Sequence, residues 1–390
     1  MRRQDAGDTK WAQQAAPLRR ELRETGLGMK KESSIRDFDW ALMVPVLGLC
    51  AIGVFQIYSA TRGSNLNGLQ WKQLEWIALG LVGMLILSRI DYHAVLEQAP
   101  VLYLVTLGLL LLVLALGQTK FGARRWLNLG FLHLQVSELA KLIIIVTLAR
   151  YLSELRTERL TLADLAKIGV FTGFPTLLIL LQPDLGTALV IVALVVVGMF
   201  LAGLEWKHAL AIVALAALLL PAAWHVLKPY QKQRLTAFFR PEETSQTSGY
   251  QTQQSKIAVG SGGIRGRGFG QGTQNQLGFV PVRWADFILA GLAEEQGFVG
   301  VLVVLLLYLG LLLRLVGTAQ LAGDRAGMYL VMGVAAVIGV HVLVNAAMVI
   351  GFMPVTGIPL PLMSHGGSSI LFVFLALGLV MNVRLRRFVN

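Results

Sequence analysis

Apolar runs of about twenty residues recur along almost the whole chain, and they settle the folding problem before any motif is read. A run of that length crosses the hydrocarbon core of a bilayer as a helix, which satisfies its own backbone hydrogen bonds. About ten such runs lie near residues 40–60, 70–88, 98–117, 135–153, 166–182, 184–203, 207–226, 286–315, 326–350 and 366–384. The expected fold is an all-α integral membrane protein with about ten transmembrane helices. A composition that is 55% apolar and 14% charged excludes an ordinary soluble domain. The net charge of +12 is then a matter of membrane sidedness rather than of nucleic-acid binding. The single cysteine, Cys50, lies inside an apolar run, so no disulfide framework forms within the chain.

Residues 1–37 are polar and basic and are expected to be a disordered cytoplasmic segment without a cleavable signal, with Met29 as an alternative start. Residues 38–390 read as one polytopic domain, in which 227–285 form a long connection between the seventh and eighth spans. With an even count, the basic amino terminus, Arg150 to Lys167, Arg314 to Arg325 and the tail Arg384, Arg386, Arg387 share one side, so both termini are expected in the cytoplasm. Two basic clusters break that rule: Lys120, Arg124 and Arg125 after the third span, and Lys228, Lys232, Arg234, Arg240, Lys256, Arg265, Arg267 and Arg283 in the long connection. Long loops translocate regardless of charge, but the short one is harder to explain that way. Basic clusters on the outer face suggest an anionic ligand there, since arginine presents a planar fork matched to phosphate oxygens.

Asp286 stands where the long connection turns into the eighth span. It reads either as a helix cap or as a catalytic base. Glu294 and Glu295 follow eight and nine residues later, which in one continuous helix places them two turns deeper, one of them beneath Asp286. Glu138 and Lys141 are three apart on one helix face and pair inside the span, marking a polar interior that is either structural or functional. Asp184, in Gln182-Pro183-Asp184, reads as the cap of the following helix. The Gly- and Gln-rich stretch 249–270 reads as a flexible, basic, external loop. Three prolines and repeated glycines between Pro354 and Ser369 exclude regular helix and read as a re-entrant loop lining a cavity. His365 stands alone, and no ligand cluster has zinc spacing.

Taken as a set, these residues resemble the SEDS family, and within it the RodA-like elongation branch. The resemblance rests on Gly122 with Arg125 and Trp126, Gln135-x-Ser-Glu-x-x-Lys141, Gln182-Pro-Asp-Leu-Gly-Thr187, Tyr230-Gln with Arg234, Gly249-Tyr through Gly263, Gly272-Thr-Gln with Gln276 and Leu277, Asp286-Phe-Ile, and Pro354 through Gly357 to Ser364-x-Gly-Gly-Ser368. It runs from about residue 38 to the carboxyl terminus. It implies peptidoglycan glycosyltransferase activity on lipid II at the outer face of the bacterial cytoplasmic membrane, beside a class B penicillin-binding protein, the growing glycan strand and elongation-complex proteins. A lipid flippase and a non-catalytic activator of that partner are the alternatives. By position the family's essential aspartate falls on Asp286, which becomes the expected base. Arg125, Arg234, Lys256 and Arg265 become the expected diphosphate ligands, with Glu138, Lys141 and the loop residue Ser364 completing the substrate site. A divalent cation, magnesium or manganese, is compatible with a diphosphate but not demanded by the sequence. The pattern departs from the family at Val282-Arg283-Trp284-Ala285, where polar neighbours of the aspartate are usual, and at Val136, where proline is usual.

Overall fold

The computed structural model describes residues 39–64, 66–120, 123–128, 133–155, 159–227, 229–239 and 248–387; the amino-terminal segment 1–37 and Gly122 lie outside them. In chain order the helices are α1 (Trp40–Thr61), α2 (Leu69–Arg89), α3 (Tyr92–Glu97), α4 (Ala99–Leu116), α5 (Val136–Glu154), α6 (Leu162–Leu181), α7 (Leu185–Leu201), α8 (Trp206–Val226), α9 (Pro229–Phe239), α10 (Ser248–Gly262), α11 (Thr273–Gln276), α12 (Ile288–Gln320), α13 (Arg325–Val349) and α14 (Gly367–Leu385). Each predicted apolar run coincides with a helix. Among the described residues seven helices, α1, α2, α4, α6, α12, α13 and α14, are long and apolar enough to cross a membrane. The stretches Leu185–Leu201 and Trp206–Leu218 are apolar but shorter.

Short polar side chains set the helix starts. Asp39 accepts the Leu42 amide at α1, Asp184 the Thr187 amide at α7 and Asp324 the Gly327 amide at α13. Thr161 and Asp164 form a reciprocal capping box at α6. Each satisfies amides that have no partner within the helix.

Residues 118–135 depart from the all-helical expectation. They form a small antiparallel sheet of β1 (Gln118–Lys120), β2 (Ala123–Asn128) and β3 (His133–Gln135), in which Trp126 pairs with both Gln118 and Gln135. Strands of three and six residues are too short to carry a readable alternation.

A second departure concerns α12. Its 33 residues are broken at Gly297, whose φ of 66° and ψ of −163° belong to a region open essentially to glycine alone. After the break, Leu307 lies against Gly48 and Arg314 bonds Asp39 at 2.8 Å, so this part runs antiparallel to α1. Before it the order is reversed. Ser364, whose neighbour Met363 lies against Gly53, bonds Ala285; Gly291 lies against Gln56; and Glu295 accepts from Ser59 at 2.6 Å. Residues 285–296 therefore run alongside α1 toward its carboxyl end, and Gly297 turns the chain back. The glutamates do not lie beneath Asp286, as one continuous helix would place them. They sit at the turn, near the end of α1, and Asp286 is the low point of a dip into the bundle.

The stretch expected to be a flexible loop, 249–270, is largely helix. α10 packs along the dipping segment, with Gly262 pressed against the carbonyl of Ala293 and the Ser255 hydroxyl bonded to the carbonyl of Val349 at 2.8 Å. Its glycine and polar content serves close packing rather than mobility.

Candidate functional site

Asp286 is positioned through backbone groups. The carbonyls of Trp284, Ala285 and Asp286 are consecutive, and each has its own donor. The His365 amide reaches the first at 2.9 Å, the Ser364 hydroxyl the second at 2.7 Å and the Asn345 side-chain amide the third at 2.9 Å. Asn345 donates also to the carbonyl of Ile358 at 2.8 Å, so one fully buried amide joins the aspartate's segment to the proline-rich loop. Ser364 has a second task, accepting the Leu360 amide at 2.8 Å. Two non-glycine residues here, Val282 and Leu362, have φ values of 52° and 66°, which side chains seldom adopt. Such strain persists where surrounding bonds over-determine the backbone, as they do here.

A second line of contacts supports the same loop from behind. His341, one turn before Asn345, places Nδ1 3.0 Å from the carbonyl of Pro359 and Nε2 3.0 Å from the Lys141 ammonium. A carbonyl only accepts and an ammonium only donates, so Nδ1 carries the proton and Nε2 accepts. Lys141 pairs with Glu138 at 2.9 Å and lies over the Phe372 ring, 4.5 Å from its centre. Glu138 and Lys141, expected among the substrate ligands, are thus 3% and 1% exposed, behind the loop rather than in front of it.

The Asp286 carboxylate lies among charges from three separate elements. Gly357, at a φ of 74° that favours glycine, lies beside two of them. A Cβ there would stand 3.5 Å from both Arg234 Nη1 and Asp286 Oδ2. Arg234 comes from α9. Arg125 comes from β2 and is oriented by the carbonyls of Gln182, at 3.3 Å, and Pro183, with Asp184 Oδ1 3.6 Å from its Nη1. Asp184 is itself engaged by Ser137, Gln135 and Thr187, in keeping with its role as a cap. Burial pushes the Asp286 carboxyl above the ordinary carboxylate range; Arg234 and Arg125 oppose that rise and Asp184 adds to it. Beside this group a small cleft is lined by Pro183, Gln231, Arg234, Pro354 and Thr356 among others. A half-buried carboxyl with a raised pKa, beside a cleft that carries an arginine, is equipped to take a proton from a substrate hydroxyl while an anionic group leaves.

The remaining predicted residues lie elsewhere. Lys256 is exposed on α10 and packs against Gly351, just beyond α13. Arg265 is exposed, and its neighbour Gly266 packs against Gly297 at the hairpin turn, the far end of the short helix from Asp286. Asn345 and His341 went unread in the sequence, although two polar residues four apart in an otherwise apolar span are a signal of a polar interior. Among the described residues no group of three or more His, Cys, Asp or Glu side chains is arranged to hold a metal ion.

Comparison with known proteins bears on the family and the fold. The profile of the FtsW/RodA/SpoVE family, described as "Cell cycle protein", matches residues 40–387. The chain is 38% identical over 351 residues to the peptidoglycan glycosyltransferase MrdB of Escherichia coli K12, covering 90% of this chain and 94% of that protein. It is 32% identical to the peptidoglycan glycosyltransferase RodA of Treponema pallidum, covering 90% and 99%. Among solved structures, a chain described under "Structural coordination of polymerization and crosslinking by a peptidoglycan synthase complex" superposes with a TM-score of 0.79 at 35% identity, covering 90% and 99%. The rod shape determining protein RodA of Thermus thermophilus superposes with a TM-score of 0.69 at 34% identity, covering 90% and 98%.

Proposed function

The chain belongs to the FtsW/RodA/SpoVE, or SEDS, family, and on that premise we propose that it is a peptidoglycan glycosyltransferase that polymerises lipid II with Asp286 as its general base. The observation that carries the reading is the convergence of three backbone anchors on Trp284, Ala285 and Asp286, which hold one carboxylate beside Arg234 and the cleft. Asp286 takes the proton of the acceptor sugar's 4-hydroxyl as that oxygen bonds to the donor's anomeric carbon. The bond from that carbon to the diphosphate breaks, and its electron pair leaves on the diphosphate. Direct displacement inverts the α-linked donor to a β-1,4 glycan. Arg234 faces the departing charge. Arg125, already fixed by two carbonyls, contributes a preorganised positive field. Asp184 has its oxygens taken up by Ser137, Gln135, Thr187 and Arg125, so it is not free to hold a metal ion; magnesium or manganese would arrive with the diphosphate. The departures at Val282 to Ala285 bear lightly on this reading. Trp284 and Ala285 act through their carbonyls, and Arg283 bonds the carbonyl of Ala60 at 2.7 Å.

The protein is a multi-pass protein of the bacterial cytoplasmic membrane. The Asp286 end faces outward, the termini are cytoplasmic, and a class B penicillin-binding protein cross-links the product. The test is incubation of the purified protein, with and without such a partner, with labelled lipid II. The expected result is glycan cleaved by a β-1,4-specific muramidase, with one undecaprenyl diphosphate released per bond formed. No polymer under either condition would overturn the reading.

A further inference from the structure

Thr356 is 5% exposed, and its hydroxyl oxygen has no hydrogen-bond partner among the described residues. The Asn345 side-chain oxygen is also without a partner among the described residues, but the donors nearby are taken up. Ser364, Asn345 and His341 are each committed to a carbonyl, and Ser364 to an amide besides. A buried hydroxyl left without a partner destabilises a fold, and a methyl group of the same shape would not. Something outside the chain therefore compensates for it.

The position of Thr356 says what that is. Its carbonyl is pressed against Gly186 in the first turn of α7, which fixes the backbone, and its side chain lines the cleft that also contains Arg234 and Gln231. Gly357, the next residue, lies beside the Arg234 guanidinium and the Asp286 carboxylate. A guanidinium has donors only, so a ligand oxygen shared by it and a hydroxyl is one that accepts from both. Beside a cation, the acceptor of that kind with a fit to the arginine fork is an anionic phosphoryl oxygen.

We propose that Thr356 contacts the substrate directly, its hydroxyl donating to a phosphoryl oxygen of the lipid-linked diphosphate that Arg234 faces. This rests on the glycosyltransferase reading above and assigns one contact within it. The hydroxyl holds the leaving group and takes no part in proton transfer.

The experiment compares the full-length wild type with Thr356→Val, which replaces the hydroxyl by a methyl group, and Thr356→Ser, which keeps it. Binding of undecaprenyl diphosphate and, separately, of inorganic diphosphate is titrated in detergent, alongside thermal melting. A hydrogen bond to a charged oxygen predicts a dissociation constant about tenfold weaker in Thr356→Val and within about twofold of wild type in Thr356→Ser. Thr356→Val melts no lower than wild type, because the hydroxyl it loses has no internal partner. The same weakening with inorganic diphosphate identifies the diphosphate itself as the group contacted. Weakening confined to the lipid-linked form supports a contact made once the lipid has placed the headgroup. Equal binding of both ligands by Thr356→Val and wild type would overturn the proposal, as would a large drop in melting temperature, which would reveal an internal role. Wild type that binds undecaprenyl diphosphate yet forms no polymer would instead overturn the enzymatic reading and leave this contact standing.

Discussion

In its proposed role as base, Asp286 combines a catalytic requirement with a cost to the fold. Because burial holds its carboxyl above the ordinary range, the folded protein disfavours the ionised form that a base must adopt. Activity is present above the raised pKa and lost as pH falls through it, so the acid limb of the polymerisation rate is expected at a pH clearly above about 4, the ordinary carboxylate value. Stability runs the other way. The folded state holds the proton more tightly than the unfolded state, so stability falls as pH rises from the unfolded value through the folded one. Asp286→Asn is therefore expected to melt at neutral pH no lower than wild type. A rate profile that falls only near pH 4, or a strongly destabilised Asn variant, would contradict this environment. Asn345 acts on the same group at one remove. Asn345→Ala frees the Asp286 and Ile358 carbonyls, and kcat is expected to drop about 10- to 100-fold with KM within about threefold, since the base loses its placement while the cleft survives. Asn345→Asp is expected to be worse than Ala, because a carboxylate not only fails to donate but sets its own acceptor oxygens against both carbonyls. Equal kcat in all three proteins would refute the positioning role.

At the scale of elements, the hairpin in α12 and the loop 351–366 create the site together. The apolar pattern was readable, and with it every long helix, because bilayer-length runs announce themselves. The reversal at Gly297 was not. Glu294-Glu295-Gln296-Gly297-Phe298 interrupts neither helix propensity nor apolar period strongly enough to show a turn, and a glycine's φ is not written in its neighbours. The helix of α10 was missed for a related reason: residues 249–262 are rich in glycine and glutamine, and packing against residues 288–296 overrides that weak local preference. Gly297→Ala tests the hairpin directly. An alanine there adopts a forbidden backbone conformation, and its Cβ would come within 2.3 Å of the Gly266 nitrogen and 2.6 Å of the Ile264 oxygen. A destabilisation of at least about 2 kcal/mol is expected, read from the shift in denaturation midpoint. An unchanged midpoint would mean the chain does not turn there.

Over the whole molecule, the two ends of the bundle do different work. At the end remote from Asp286, ion pairs link segments far apart in sequence. Asp39 is held by Arg314 and Arg384, each at 2.8 Å, and Asp91 by Arg386 at 2.8 Å, while His93 lies between Asp91 and Asp324. At the other end, charge converges on a cleft. Arg125 and Arg234 drew attention because basic clusters that break the sidedness pattern demand a reason, and Asp286 because it stands where a polar segment turns into a span and matches the family's aspartate by position. The grouping of these three apart from Lys256 and Arg265 was not, because it depends on how β2, α9 and the dip before α12 pack in three dimensions. In the proposed function this end is an active site built on one carboxylate. The most direct measurement is the initial rate of glycan formation from labelled lipid II by purified wild type and Asp286→Asn, each with the class B partner and shown to melt alike. The account predicts polymer from wild type and a loss of at least about 100-fold in the variant. Polymer at the wild-type rate from a folded Asp286→Asn protein would contradict it.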